Sequence, residues 1–202
     1  MISLQDKLQQ LRESKQAILA TNFYNLETLQ GVLKAASVLN TPIILQLSES
    51  SIDYMGLKMA TKMAFTALEE FGVEGWLHLD HGASSELAAR CLDKGFNSVM
   101  IDASEKSFDE NVRITSEVVK LAEKYQANVE AELGFVAKLG QSTEGHGFTQ
   151  PDEAQKFVEL TGVNALAVAI GSAHGFYKNT PKLEIELLAK LKSAVPIPLV
   201  LH

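Results

Sequence analysis

Residues 75–102 read GWLHLDHGASSELAARCLDKGFNSVMID, and this stretch decides the fold. The apolar runs WLHL and SVMI predict two strands, and the amphipathic run SSELAARCLDK between them predicts a helix that ends at a glycine. The first strand ends in Asp80 and His81, and the second ends in Asp102. Strands joined through a helix run parallel. The stretch therefore predicts one unit of a parallel α/β sheet with polar strand ends.

The same alternation runs along the whole chain. Strands are predicted at 17–23, 42–47, 76–79, 98–101, 128–133, 165–170 and 198–201. Helices are predicted at 4–14, 26–39, 57–71, 84–94, 108–125, 151–160 and 183–193. Near-continuous apolar strands alternating with helices indicate a parallel sheet covered by helices, either an open doubly wound sheet or a closed barrel. No G-x-G-x-x-G follows the first strand, which disfavours a dinucleotide-binding sheet.

The positions of the polar residues favour the barrel. Nearly every strand ends in one, at Asn22, Ser48 with Glu49, Asp80 with His81, Asp102, Glu132, Gly171–His174 and His202. In a (β/α)8 barrel these carboxyl ends form a ring around a single site. We therefore expect residues 1–202 to form one (β/α)8 TIM-barrel domain. A full barrel needs about 250 residues, so we expect this one to be truncated after the seventh strand, without the eighth βα unit.

Composition excludes several classes of protein. The net charge of −7 argues against a general nucleic-acid or anionic-membrane binder. The polar start of the chain is not a signal peptide, and the apolar runs are too short for a bilayer span, so a cytoplasmic location is expected. A single cysteine, Cys91, excludes an internal disulfide and is expected to be a buried small residue.

Three of the five histidines, His81, His174 and His202, follow predicted strands. Three imidazoles on one barrel rim match the open three-histidine pattern of catalytic zinc, which leaves coordination free for a substrate. His78 lies inside its strand and is expected to fill a layer of the barrel, and His146 is expected to be a solvated loop residue. The sequence thus predicts a zinc site at the carboxyl ends of the strands.

Carboxylates stand beside these histidines. Asp80 is a candidate proton shuttle, because a metal makes a coordinated hydroxyl more acidic, or else a partner that orients a histidine. Asp102 and Glu132 are expected to hydrogen-bond the ligating histidines, hold a second metal position or stiffen the rim. The residues alone leave these alternatives open.

Small residues surround His174. Gly171 and Gly175 would let backbone N–H groups approach an anion or expose carbonyl groups to a cation. Lys178 follows closely and either pairs with a phosphate or is a solvated loop lysine.

At this point the chain resembles a known family. TNFYN, PIILQLSES, LHLDHG, FNSVMIDAS, FDENV, VEAELG, AIGSAHGFYK and IPLVLH resemble, in order, the motifs of the class II ketose-bisphosphate aldolases. These include the enzymes for fructose and tagatose 1,6-bisphosphate. The resemblance runs from about residue 3 to residue 202, and LDHG, AIGxxHG and LVLH together form a specific combination.

The resemblance implies zinc-dependent, reversible cleavage of a phosphorylated ketose to dihydroxyacetone phosphate and an aldehyde, in a homodimer or larger homo-oligomer. It implies zinc ligands at His81, His174 and His202, with Asp80 as the proton donor and acceptor. By the same match Asp102 and Glu132 would form a second metal position, and Asn22, Ser48, Gly175 and Lys178 would contact substrate. Glycine backbone near His174 would help to bind the phosphate and a monovalent cation.

The chain departs from the family pattern in three places. The loop after AELG is short, and Glu144 is its only acidic candidate for the base that acts on carbon. DASEKSF replaces a sequence that usually contains histidine, and the Gly–Ser phosphate loop expected after IPLVLH is not in this chain. These departures keep two alternatives open: an aldolase for a modified ketose phosphate or deoxy-keto sugar acid phosphate, and a non-catalytic sugar-phosphate-binding barrel. A lysine-based aldolase is disfavoured because no predicted strand carries a lysine.

Overall fold

Seven strands form one parallel sheet in the computed structural model, which describes residues 2–134, 136, 147–175 and 180–202. The strands are β1 (Ala20–Asn22), β2 (Ile43–Ser48), β3 (Gly75–Gly82), β4 (Ser98–Ile101), β5 (Asn128–Leu133), β6 (Ala165–Val168) and β7 (Leu199–Val200). The helices are α1 (Leu4–Glu13), α2 (Leu26–Val38), α3 (Glu49–Met55), α4 (Leu57–Phe71), α5 (Ser85–Asp93), α6 (Phe108–Glu123), α7 (Pro151–Thr161) and α8 (Ile185–Ala194).

The strand order in the sheet follows the chain from β1 to β7. A doubly wound sheet reverses its order at a switch point, and no reversal occurs here. The sheet also curls, because His81 at the end of β3 contacts His202 beyond β7, four strands away. Residues of β1 and β7 line one cavity of about 700 Å³. The predicted (β/α)8 architecture is therefore confirmed, as a curled sheet of seven parallel strands.

The outer face of the sheet carries the main hydrophobic core. Alternate strand residues such as Leu45, Leu77, Val99, Val129 and Leu166 are fully or almost fully buried under the helices. Because side chains alternate along a strand, the residues between them face the barrel interior. Burying both faces explains why the strands read as near-continuous apolar runs in the sequence.

The inner face is partly polar. Register aligns Asn22, Gln46, His78, Ser98 and Asn128 in one row across five neighbouring strands. His78 fills this layer, as expected, with 2% of its surface exposed. This interior row therefore contains hydrogen-bonding groups where many barrels have branched apolar side chains.

The amino-terminal helix covers the other end of the barrel interior. Leu4 of α1 packs with the inward-facing Ile44 and Trp76. The Trp76 indole Nε1–H donates a hydrogen bond to the Ile2 carbonyl oxygen at 3.1 Å. The helix predicted at the start of the chain thus covers the amino ends of the strands.

Some predicted boundaries were wrong. Helix α3 was missed because ESSIDYM begins with polar residues that resemble a loop; the Ser48 side chain caps it, and Gly56, at φ 81°, ends it. Strand β1 is shorter than the predicted 17–23. Among the described residues, no helix is long and apolar enough to cross a bilayer.

Trp76, the only tryptophan, is 1% exposed and reports on the packing of α1. Leu4→Ala should lower the free energy of unfolding by about 2–3 kcal/mol, because it leaves a cavity against Trp76. It should also shift tryptophan emission to longer wavelength as water reaches the indole. Denaturant titration followed by fluorescence measures both. Leu39→Ala, at a side chain that is 72% exposed, is the control and should change neither. Unchanged stability in Leu4→Ala would show that α1 does not close the barrel.

Candidate active site

A local distortion of β3 places two consecutive side chains at the same rim. Between Leu79 and Gly82 the pairing of β3 with β4 shifts register, so that β3 contains an extra residue. His81 has φ 48°, in the left-handed region that non-glycine residues rarely adopt. A Cβ on Gly82 would lie 2.6 Å from the Met100 carbonyl oxygen, so only glycine permits this close approach. Asp80 and His81, which ordinary alternation would place on opposite faces, thus face the same site.

The three histidines predicted from the sequence lie together. The ring centroid of His81 lies 4.9 Å from that of His174 and 4.6 Å from that of His202. One ring nitrogen from each of the three lies within 4.8 Å of the other two. Nitrogen atoms at these separations can coordinate one ion.

The hydrogen bonds of His81 are compatible with a metal. Its Nδ1 lies 2.9 Å from Asp102 Oδ2, and a carboxylate oxygen only accepts, so Nδ1 carries the hydrogen and Nε2 presents a lone pair. That lone pair faces His202 Nδ1 at 3.1 Å. Burial lowers the pKa of His202, but its hydrogen bond to Glu130 and nearby carboxylates raise it to about 9. A metal at this point would take the place of the proton that a hydrogen bond between the two rings requires.

Asp80 faces the same point. Its Oδ1 lies 4.0 Å from both His81 Nε2 and His202 Nδ1. Its Oδ2 accepts a hydrogen bond from Asn22 Nδ2 at 2.8 Å, and Gln46 Nε2 lies 3.5 Å from Oδ1. Two amide donors hold the carboxylate beside the histidine cluster, within reach of a molecule bound there.

Comparisons with known proteins identify the family. Residues 2–202 match the family model described as fructose-bisphosphate aldolase class-II. The chain belongs to this family. Over the whole of this chain, it is 41% identical to the fructose-bisphosphate aldolase of Giardia intestinalis and 41% identical to that of Geobacillus stearothermophilus. The crystal structure of the YdjI aldolase from Escherichia coli K12 superposes on the whole chain with a TM-score of 0.88 and 34% identity.

The chain spans only part of these relatives. It covers 64% of the Giardia protein, 72% of the Geobacillus protein and 73% of the YdjI chain. Because the family model matches residues 2–202 and both relatives align with the whole chain, the family resemblance inferred from the motifs is confirmed.

A second cluster adjoins the histidines of this aldolase-family site. His81, Asp102 and Glu132 each bring one ligand atom within 4.8 Å of the other two. Asp102 Oδ1 also accepts hydrogen bonds from the Ser104 backbone N–H and hydroxyl. Glu132 is 1% exposed, and its Oε2 has no hydrogen-bond partner among the described residues. Burial, and then the charge of Asp102, raise the pKa of Glu132 to about 7.

The remaining predicted residues have different environments. Ser48 aligns in register with Asp80 and also caps α3, accepting a hydrogen bond from Ser51 N–H. Gly175 is exposed, with φ 92°. Glu144 and Lys178 lie outside the described residues.

Two residues of the site, Gln46 and Glu130, were not predicted from the sequence. Both lie within strands, and both are buried, with 7% and 6% of their surface exposed. Glu130 Oε1 lies 2.9 Å from His202 Nε2. The available signal was a polar residue two positions before the polar residue near a strand end, in QLS and EAE, because alternation puts both residues on the same face.

The raised pKa of Glu132 predicts a pH-dependent stability for the metal-free protein. Because the folded state binds this proton more tightly than the unfolded state, stability falls as pH rises from about 4.5 through about 7. The size is on the order of 3 kcal/mol. Glu132→Gln should remove this loss. Denaturant unfolding at pH 5 and pH 8 with a chelator measures it, and Glu159→Gln, on the surface, is the control. Equal pH dependence in Glu132→Gln and the parent protein would contradict the assignment.

Proposed function

We propose that this protein is a zinc-dependent class II aldolase that reversibly cleaves fructose 1,6-bisphosphate to dihydroxyacetone phosphate and an aldehyde. The observation that carries the proposal is the position of Asp80. Its Oδ1 is equidistant, at 4.0 Å, from the facing nitrogens of His81 and His202. A carboxylate beside a metal site, and not itself part of the three-histidine group, is what proton transfer from a coordinated hydroxyl requires.

His81, His174 and His202 would hold the zinc. Three neutral nitrogen donors leave coordination positions free for substrate oxygens. When bound, the ion would act as a Lewis acid for the negative charge that develops on the ketone oxygen as the carbon–carbon bond breaks. Asp102 holds the His81 ring through Nδ1, which fixes the nitrogen that His81 offers.

Asp80 would perform the proton transfer. It takes the proton of the hydroxyl next to the carbon–carbon bond that breaks, and that oxygen becomes the aldehyde carbonyl. The electron pair of the broken bond stays with the dihydroxyacetone phosphate half, which then receives a proton on carbon. Asn22 and Gln46 keep the Asp80 carboxylate oriented through their amide N–H groups. We assign the proton transfer at carbon to Glu144, the one acidic residue in the sequence between Glu132 and Asp152.

Other residues would bind the rest of the substrate. Gly171 and Gly175, at φ 105° and 92°, permit a backbone loop beside His174 that could approach a phosphate and a monovalent cation. Lys178 would supply charge to the phosphate, and Asn22 and Ser48 would contact substrate at the ends of β1 and β2. Asp102 and Glu132 would form with His81 a position that the metal occupies as an alternative to the first. The buried Oε2 of Glu132, which has no hydrogen-bond partner among the described residues, supports this assignment.

The choice of substrate and the assembly remain proposals. Tagatose 1,6-bisphosphate, a modified ketose phosphate and a deoxy-keto sugar acid phosphate are the alternative substrates. A non-catalytic sugar-phosphate-binding barrel is disfavoured, because binding alone does not need a carboxylate held beside the histidines by two amide groups. A homodimer or larger homo-oligomer and a cytoplasmic location also stay predictions.

Two substitutions test the function by separating metal binding from proton transfer. Asp80→Asn should keep its zinc and lose roughly 10²- to 10⁴-fold in kcat, because the amide cannot accept the proton. His174→Ala should lose both zinc and cleavage. Zinc content by mass spectrometry and coupled assays with the four candidate substrates measure these effects, and Asp152→Asn, on the surface, is the control.

The outcomes distinguish the alternatives. If the protein prefers another ketose phosphate, the proposed substrate is wrong and the proposed mechanism still holds. Tight binding of every candidate by the zinc-loaded parent protein, without turnover, would favour the non-catalytic barrel. Full activity in zinc-free His174→Ala would contradict the whole proposal.

A further inference from the structure

We propose that Glu130 is a positioning residue that fixes which ring nitrogen of His202 faces the metal. The inference rests on the proposed function only in requiring that the histidine cluster binds a divalent metal. Glu130 lies in the middle of β5, below the rim, and is not a member of either metal-binding group.

The contact between the two side chains defines the orientation of the ring. Glu130 Oε1 lies 2.9 Å from His202 Nε2, and a carboxylate oxygen can only accept, so Nε2 carries a hydrogen. His202 Nδ1 then points to the opposite side, toward His81 Nε2 at 3.1 Å. Without Glu130 the His202 ring could turn over and exchange its two nitrogens, and nothing else in this contact would distinguish them.

The polar row of the barrel interior lies beneath Glu130, in electrostatic contact with it but without a hydrogen bond to it. Its Oε2 lies 3.8 Å from His78 Nε2. His78 Nδ1 lies 2.7 Å from Ser98 Oγ, which also accepts a hydrogen bond from Asn128 Nδ2 at 3.2 Å. When Ser98 donates its hydroxyl hydrogen to His78 Nδ1, the Nε2–H of His78 faces the carboxylate. Burial lowers the pKa of His78, which favours this neutral form.

The site is consequently asymmetric. His81 is held by Asp102 through Nδ1 and offers Nε2, whereas His202 is held by Glu130 through Nε2 and offers Nδ1. A carboxylate partner on the far nitrogen keeps an imidazole ligand in a single orientation, and its loss typically weakens metal binding about 10- to 100-fold. Glu130 was not recognisable as such a partner from the sequence, because it is 72 residues away from His202.

The first test uses the parent protein loaded with ¹¹³Cd²⁺ and labelled with ¹⁵N-histidine. One-bond coupling between cadmium and nitrogen identifies the coordinating atom of each ring. We expect coupling at His202 Nδ1 and at His81 Nε2. Coupling at His202 Nε2, or to no histidine, would overturn the proposal without any substitution, so the test does not depend on the folding of a variant.

The second test compares zinc affinity among variants by competition with a chelator. Glu130→Ala should raise the zinc Kd by about 10- to 100-fold and abolish the single coupling at His202 Nδ1. Glu130→Gln keeps an oxygen acceptor for Nε2–H, so it should retain the Nδ1 coupling with a smaller increase in Kd. Thr161→Val is the matched control, because it removes a buried hydrogen bond, to the Phe157 carbonyl oxygen at the end of α7, and Thr161 belongs to neither metal-binding group.

The results separate this role from the proposed activity. A zinc Kd in Glu130→Ala no higher than in Thr161→Val would overturn the positioning role, even if the enzyme cleaves its substrate normally. A parent protein that binds zinc and cleaves no ketose phosphate would contradict the activity alone. In that case a zinc Kd that is about 10- to 100-fold higher in Glu130→Ala than in Thr161→Val would still support the role of Glu130.

Discussion

The contact between His81 Nε2 and His202 Nδ1, 3.1 Å apart, is the constraint on which the rest of the structure depends. His81 lies near the end of β3 and His202 follows β7, four positions away in the sheet, so they meet only if the sheet curls. Curling requires two different faces: an apolar outer face that binds the helices, and an inner face that has room for the rings. The alternation of apolar and polar residues along β2, β3 and β5 supplies both.

The site also depends on a break in that alternation. A regular β3 would direct Asp80 inward and His81 outward, and the metal ligand would lie among the helices. The left-handed backbone at His81 turns its side chain to the same side as Asp80. Such a conformation costs on the order of 1–3 kcal/mol. Gly82 makes the close approach to Met100 possible. A carboxylate and a histidine that are adjacent in sequence thereby become neighbours in one site.

The sequence predicted the repeating strands, the barrel class and the three histidines that the structure brings together, because buried parallel strands and their polar ends leave strong patterns. It could not predict Glu130 or Gln46 as parts of the site, since a polar residue inside a strand shows its role only when the register is known. Helix α3 was missed because the residues after Ser48 are polar and favour a turn as much as a helix. The environment of Glu144 depends on residues that the structure does not describe.

The four carboxyl groups near the histidines differ in what surrounds them, and these differences suggest separate tasks. Asp102 and Glu130 each hold one imidazole ring, so their charge is directed at a nitrogen that faces away from the site. Asp80 accepts hydrogen bonds from amide groups and remains open toward the cluster. Glu132 is buried and lies near the charge of Asp102, and these two effects raise its pKa to about 7. So much negative charge in a partly buried rim is costly without a cation, and a divalent ion among the imidazoles would offset it while leaving Asp80 free to exchange a proton.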